Sequence, residues 1–106
     1  MQDYTVERVG KPDLAFTGEL IGQSDASTFS PIPNIRIYRT KAGKFVAALA
    51  KDPKRSVADH FEKPAEVLNW LKVSAGGSIN PDAQAAIEQA CSKDADFKSF
   101  WTEHVD

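Results

Sequence analysis

The sequence predicts an α+β fold: an antiparallel sheet of four to five strands followed by two to three helices packed on one face. Two observations carry this. Segments with period-2 alternation fill the first part of the chain and segments with helical periodicity fill the second. Between residues 35 and 50 the alternation is clear enough to fix a β-hairpin.

In that hairpin Ile35 and Ile37 alternate with Arg36 and Tyr38, and Phe45, Ala47 and Leu49 alternate with Val46 and Ala48. Lys41-Ala42-Gly43 fits a three-residue loop, a type I turn closed by a left-handed glycine. This loop sets Arg39 opposite Phe45, Ile37 opposite Ala47 and Ile35 opposite Leu49. One face then holds Ile35, Ile37, Phe45, Ala47 and Leu49. A two-residue loop would slip the pairing by one and split the apolar set, which a sheet with a buried face resists.

Upstream, Tyr4 to Val9 reads as a short strand and Gly10-Lys11-Pro12-Asp13 as a turn. Leu14 to Ile21 is a second strand, with Leu14, Phe16 and Leu20 on one face and Thr17 and Glu19 on the other. Gly18 inside it signals a bulge or a close backbone approach. The two strands are expected to form a first, outer hairpin. Gln23 to Asn34 is a long connection whose large apolar residues are Phe29 and Ile32, stiffened by Pro31 and Pro33.

Downstream, Val57 to Glu62 reads as a last strand, with Val57, Asp59 and Phe61 on one face; a helical turn capped by Ser56 is the alternative. Pro64 then opens a helix to about Ser74, with Val67, Leu68 and Leu71 on one stripe and Trp70 at its edge. Gly76-Gly77 ends it. Asn80 caps a second helix begun by Pro81, whose face of Ala83, Ala86, Ile87, Ala90 and Cys91 allows close packing. A break near Ser92 to Asp94 precedes a last helix carrying Phe97, Phe100, Trp101, His104 and Val105 on one side. This stripe is expected to dock within the chain. In the alternative arrangement only the first helix packs on the sheet and the last two form a separate helical hairpin.

The 106 residues are expected to form one α+β domain, 1–106. An apolar fraction of 42% and a charged fraction of 26% are ordinary for a globular protein. The single cysteine excludes an internal disulfide and a cysteine-rich zinc site. No basic region followed by an apolar run opens the chain, and no apolar run reaches membrane-spanning length. A cytoplasmic location without membrane contact is therefore expected.

The net charge of -2 conceals an uneven layout. Residues 31–56 hold seven Lys and Arg against one acid, Asp52, a net of +6. The first 30 residues carry a net of -3 and residues 82–106 a net of -4. Such asymmetry marks either a partner surface or basic strands lying against acidic helices of the same chain. The candidate binding face is Arg36, Tyr38, Arg39, Lys41, Lys44, Lys51, Lys54 and Arg55. Arg36 and Tyr38 share the face opposite the inferred core, where an arginine beside an aromatic ring resembles a platform for single-stranded nucleic acid. The sequence pI of about 5.6 weighs against that use.

Chemistry is sparse. His60 and His104 lie in different elements. Asp59, His60 and Glu62 are a fragment of a metal set, but strand alternation separates Asp59 from His60. Cys91, on an apolar helix stripe, reads as a structural thiol rather than a nucleophile. Ala42-Gly43-Lys44 runs into Phe45 and lacks the earlier glycine of a phosphate-binding loop. Gly76-Gly77-Ser78 leads to a helix start where Pro81 removes an amide donor, so it reads as a linker. Glu62 and Glu66 straddle a strand-to-helix junction and do not form an acid–base pair. No catalytic residue, metal site or cofactor is expected, and the chain is expected not to be an enzyme.

Tyr38-Arg39-Thr40, then Gly43-Lys44-Phe45-Val46, and then the Trp70-Leu71 pair in the following helix, resemble small uncharacterised bacterial proteins with a similar hairpin and helix. The resemblance covers about residues 14–72. It implies a bacterial or phage origin and brings no activity with it.

The expected function is that of a non-catalytic protein-interaction or regulatory module, with another protein as its partner. The alternative is a nucleic-acid-associated module binding through the basic hairpin 36–55.

Overall fold

In the computed structural model residues 1–8, 10–24, 35–52, 55–74, 77 and 81–101 are described, with the backbone path alone for 50–52, 55, 56 and 82. Five strands form one antiparallel sheet in sequence order: β1 (Gln2–Val6), β2 (Leu14–Gln23), β3 (Ile35–Thr40), β4 (Phe45–Asp52) and β5 (Arg55–Phe61). Three helices follow, α1 (Pro64–Ser74), α2 (Pro81–Lys93) and α3 (Ala95–Trp101). The fold is α+β, as the order of periodicities predicts. Among the described residues no helix is long and apolar enough to cross a membrane.

The central hairpin has the expected register: Ile35 pairs with Leu49, Ile37 with Ala47 and Arg39 with Phe45. Gly43 has φ of 87°, the left-handed conformation the three-residue loop requires. Residues 55–61 extend the sheet instead of forming a helical turn, and Phe61, Asp59 and Val57 pair with Phe45, Ala47 and Leu49. β1 ends at Val6, short of the expected Val9. The connection carrying Phe29, Pro31, Ile32 and Pro33 lies outside the described residues, as do Asn80, His104 and Val105.

One face of the sheet meets all three helices. Ile21, Ile35, Ile37, Phe45 and Ala47 share a core with Val67 and Leu71 of α1, Ala83, Ala86, Ile87 and Ala90 of α2, and Phe97 of α3. Because α2 and α3 enter this core, the arrangement with a separate terminal helical hairpin does not occur. Phe97 meets Phe45 edge to face with centroids 5.1 Å apart, and Trp70 lies against Phe61 at 5.8 Å. The terminal stripe docks only in part: Phe97 is buried, but Phe100 and Trp101 remain 43% and 40% exposed.

The small residues of α2 have a specific partner. The register of β2 against β3 shifts between Leu20 and Gly22, a bulge that turns both Ile21 and Gly22 toward the helices. A Cβ at Gly22 would run into the Ala86 carbonyl oxygen and lie 2.9 Å from the Ala90 backbone nitrogen. The bulge, Gly22 and the alanine stripe together let two backbones approach. Gly18 is the other close approach, since a Cβ there would meet the Arg39 carbonyl oxygen.

The opposite face holds a second apolar cluster, which among the described residues is built from strands alone. Val6, Tyr38, Val46, Ala48 and Ala58 are buried there, with Tyr4, Leu14, Phe16 and Leu20 packed around them. Tyr4 stands 4.7 Å from Tyr38 and 5.5 Å from Phe16, and Phe16 stands 5.2 Å from Tyr38, between ring centroids. β1 and β3 lie on either side of β2, and strands two apart are separated by about 9.5 Å. Rings that meet across that gap lean toward each other over a concave face. β2 is the hinge of this shape. Residues 14–18 pair with β1, residues 18–23 pair with β3, and Gly18 belongs to both ladders. The turn after β1 reaches the far edge of the sheet, where Arg8 and Lys11 line a cleft with Val57, Ala58 and Asp59. The outer hairpin therefore folds across the concave face and buries Tyr38, one of the candidate binding-face residues.

Candidate functional site

The three-residue turn is locked by its own hydrogen bonds. Thr40 N–H donates to the Lys44 carbonyl at 2.8 Å, and Gly43 N–H to the Thr40 carbonyl at 3.0 Å. Lys44 N–H donates to Thr40 Oγ1 at 2.9 Å. Lys41 N–H donates to the Thr17 carbonyl at 2.7 Å, tying the turn to β2. Lys41 and Lys44 are thus exposed side chains on a fixed frame. Among the described residues neither ammonium has a carboxylate within ion-pair distance.

Beneath the turn the concave face opens into a cleft of about 360 Å³. Residues 14–17 of β2 run past the hairpin tip, so Leu14, Ala15, Phe16 and Thr17 make one wall. Thr40, Lys41, Ala42, Lys44, Val46 and His60 complete it. Phe16 and Val46 are shared with the Tyr38 cluster, so the cleft floor is the edge of a packed core. His60 pairs with Val46 across β4 and β5 and is exposed. Among the described residues no Asp or Glu side chain lines the cleft. Asp3 accepts the Thr17 hydroxyl at 2.5 Å.

The eight residues of the expected binding face are divided by the fold. Lys41 and Lys44 line the cleft. Tyr38 is 2% exposed, so it cannot serve as a stacking platform; the outer hairpin covers it. Burial pushes its hydroxyl above the usual tyrosine range, against the pull of the neighbouring Arg36. Arg36 is half-buried. Arg39 faces the helices and is held within the chain. Its Nη1 lies 3.0 Å from Asp94 Oδ2 and 2.8 Å from Asp96 Oδ2, and its guanidinium sits 4.4 Å above the Phe45 ring. Basic strands against acidic helices thus account for part of the charge asymmetry. Lys51 and Arg55 fall on described backbone without described side chains, and Lys54 lies outside the described residues.

Leu14, Phe16 and His60 were not among the expected site residues. The signal for His60 was present: the hairpin register continued into the 57–62 strand sets it beside Val46. The signal for Leu14 and Phe16 was not local, because it needs the outer hairpin to fold over.

The other reactive groups are engaged elsewhere. The Cys91 thiol is half-buried, 3.6 Å from the Phe97 carbonyl oxygen, and burial together with Glu88 and Asp94 raises its pKa. That disfavours the thiolate a nucleophile needs. Asp59 pairs with Ala47 on the helix-facing side while His60 pairs with Val46 on the other. The Glu66 carboxylate accepts the Glu62 and Lys63 backbone N–H groups at 3.2 and 3.1 Å, capping α1. No group of three or more metal-ligating side chains occurs among the described residues. No family model, no curated protein and no solved structure matches the chain.

Proposed function

We propose that this protein is a non-catalytic interaction module that meets an acidic partner protein through the β3–β4 hairpin tip. One observation carries the reading. Lys41 and Lys44 are exposed, lack a carboxylate partner among the described residues, and stand on the hydrogen-bonded backbone of the turn at the mouth of an apolar cleft. Charges carried on a fixed backbone beside an apolar depression suit recognition, because little backbone order is lost on binding. The raised Cys91 thiol and the separated Asp59 and His60 support a non-catalytic reading. The lone free cysteine suits a reducing cytoplasm, where we place the protein.

The nucleic-acid reading retains the two ammonium groups but loses Tyr38 as a stacking surface. Selection from a random peptide display library distinguishes the two readings, with the Lys41→Glu/Lys44→Glu variant as counter-target. Enriched peptides should be acidic, should bind the wild type, and should lose the variant. Equal binding to both proteins overturns the assignment. Binding of single-stranded oligonucleotides that weakens steeply with salt, with no peptide enriched, favours the alternative.

A further inference from the structure

We propose that the cleft under the hairpin tip is a binding site for a small free carboxylate with an apolar body, of the medium-chain alkanoate class. The proposal rests on the binding-module reading and names a ligand for the same site. It would make the module a regulated one, since a bound anion neutralises the charge at the tip.

Size, lining and charge each narrow the ligand. A volume of about 360 Å³ sits at the lower end of small-molecule pockets, which run from about 300 to 1,000 Å³. Leu14, Phe16 and Val46 give it apolar walls and floor. A ligand burying a short hydrocarbon body there gains the transfer free energy of each buried methylene. Lys41 and Lys44 supply positive charge at one end, and among the described residues no carboxylate in the lining opposes them. The ligand is therefore anionic at one end and apolar at the other.

The hydrogen-bond inventory separates a carboxylate from a phosphate. Phosphate sites are commonly built from converging backbone amides. Here the N–H groups of Lys41, Gly43 and Lys44 are all spent on the Thr17 carbonyl, the Thr40 carbonyl and Thr40 Oγ1. What remains among the described lining groups are the two ammonium groups, the Thr40 hydroxyl, the His60 ring and the single Ala42 N–H. Thr40 Oγ1 accepts from Lys44 N–H, which leaves its own hydrogen to donate. Two mobile point charges and a few scattered single donors, with only one free backbone amide among the described turn residues, suit a carboxylate held mainly by its apolar body. They do not make the rigid multi-donor cradle that a strongly hydrated phosphate needs.

Titration of the wild-type protein with decanoate, followed by amide chemical shifts, tests this without relying on any variant. The expected result is saturable shifts at Phe16, Thr17, Lys41, Lys44, Val46 and His60, and a melting temperature that rises with decanoate concentration. Acetate, decanol, decyltrimethylammonium and inorganic phosphate should each bind more weakly. Lys41→Gln/Lys44→Gln should weaken decanoate by about tenfold. Decanol binding as tightly as decanoate, acetate or phosphate doing so, shifts confined to another surface, or no shifts at all overturns the proposal. If decanoate fails while selected acidic peptides still require Lys41 and Lys44, the cleft ligand is wrong and the interaction module stands. If peptide binding ignores the lysines while decanoate fills the cleft, the module reading fails alone.

Discussion

Arg39 Nη1 donates to both carboxylate oxygens of Asp94, at 3.1 and 3.0 Å, while Asp94 Oδ1 also accepts the backbone N–H groups of Asp96 and Phe97. One side chain therefore joins the central hairpin to the start of α3. Asp94 is an N-cap by position and chemistry, and its charge is anchored by a guanidinium lying on the Phe45 ring. Burial alone would lower the Arg39 pKa, but Asp96 and Asp94 outweigh it and raise it. The arginine stays charged at every ordinary pH.

This double role separates two substitutions. Asp94→Asn keeps a side-chain oxygen for the cap and loses the ion pair. With Arg39 24% exposed, that loss should be at most about 1 kcal/mol. Asp94→Ala loses the cap as well, adding about 1 kcal/mol. Urea denaturation should rank wild type above Asp94→Asn above Asp94→Ala. Equal losses for the two variants would mean that the cap contributes nothing.

The contrast between Arg39 and Lys44 shows what local pattern could reveal. The hairpin register was legible because alternation, Gly43 and one apolar face all demand the same pairing. α2 was legible as a close-packing helix from its alanines, although its partner Gly22 was not. A bulge at Ile21 flips the face of β2 midway, and alternation read along the strand passes through such a flip unnoticed. Tyr38 was placed on the correct face, but its burial was not legible there. Its burial depends on Tyr4 and Phe16 arriving from a hairpin more than 20 residues upstream. The division of the basic residues had the same cause: the helix side takes Arg39, and the folded-over hairpin makes the cleft that Lys41 and Lys44 line.

Gly22 and Gly18 should be the least replaceable glycines among those described, each with a backbone oxygen where a Cβ would stand, and Gly22 is the one that meets a helix. The Cβ of an alanine there would be driven into the Ala86 carbonyl and sit 3.1 Å from the Ala90 Cβ. The obstacle is mainly backbone, so α2 must move and its buried alanine stripe must part from β2. We expect Gly22→Ala to cost at least about 2 kcal/mol. Gly10→Ala meets no neighbour within 4 Å and bears only the strain of φ +75°, about 1 kcal/mol. Thermal unfolding of the two variants checks the order. A Gly22→Ala protein as stable as Gly10→Ala would show that the helix can stand off.

The terminal helix divides its aromatics sharply. Phe97 is 1% exposed in the main core, so Phe97→Ala should cost about 3–5 kcal/mol. Trp101, at 40% exposure, has less to lose, and Trp101→Ala should stay within about 1 kcal/mol. Melting temperatures measured over a range of protein concentrations check both values. A wild-type melting temperature that climbs with concentration, flattened by Trp101→Ala, would show the tryptophan in contact with a second copy.

Tyr38 makes the covering of the concave face measurable. Its hydroxyl is held neutral above the ordinary tyrosine value of about 10, first by burial and then by Tyr4, against the opposing effect of Arg36. Below pH 10 the phenol keeps its proton in both folded and unfolded chains and contributes no slope. Above about pH 10 the unfolded chain releases the proton first, so it binds fewer protons than the folded chain and stability falls as pH rises. Cys91, also raised, adds a decline of the same sign from about pH 9. Other groups of the chain also contribute to the pH dependence, so the informative quantity is the difference between wild type and Tyr38→Phe. Phenylalanine keeps the ring contacts with Tyr4 and Phe16 and has no proton to lose. The stability of Tyr38→Phe relative to wild type should therefore stay level up to about pH 9 and improve steadily beyond pH 10. A difference that stays constant through this range would mean that the Tyr38 hydroxyl ionises equally well in both states. The outer hairpin would then not seal it from water.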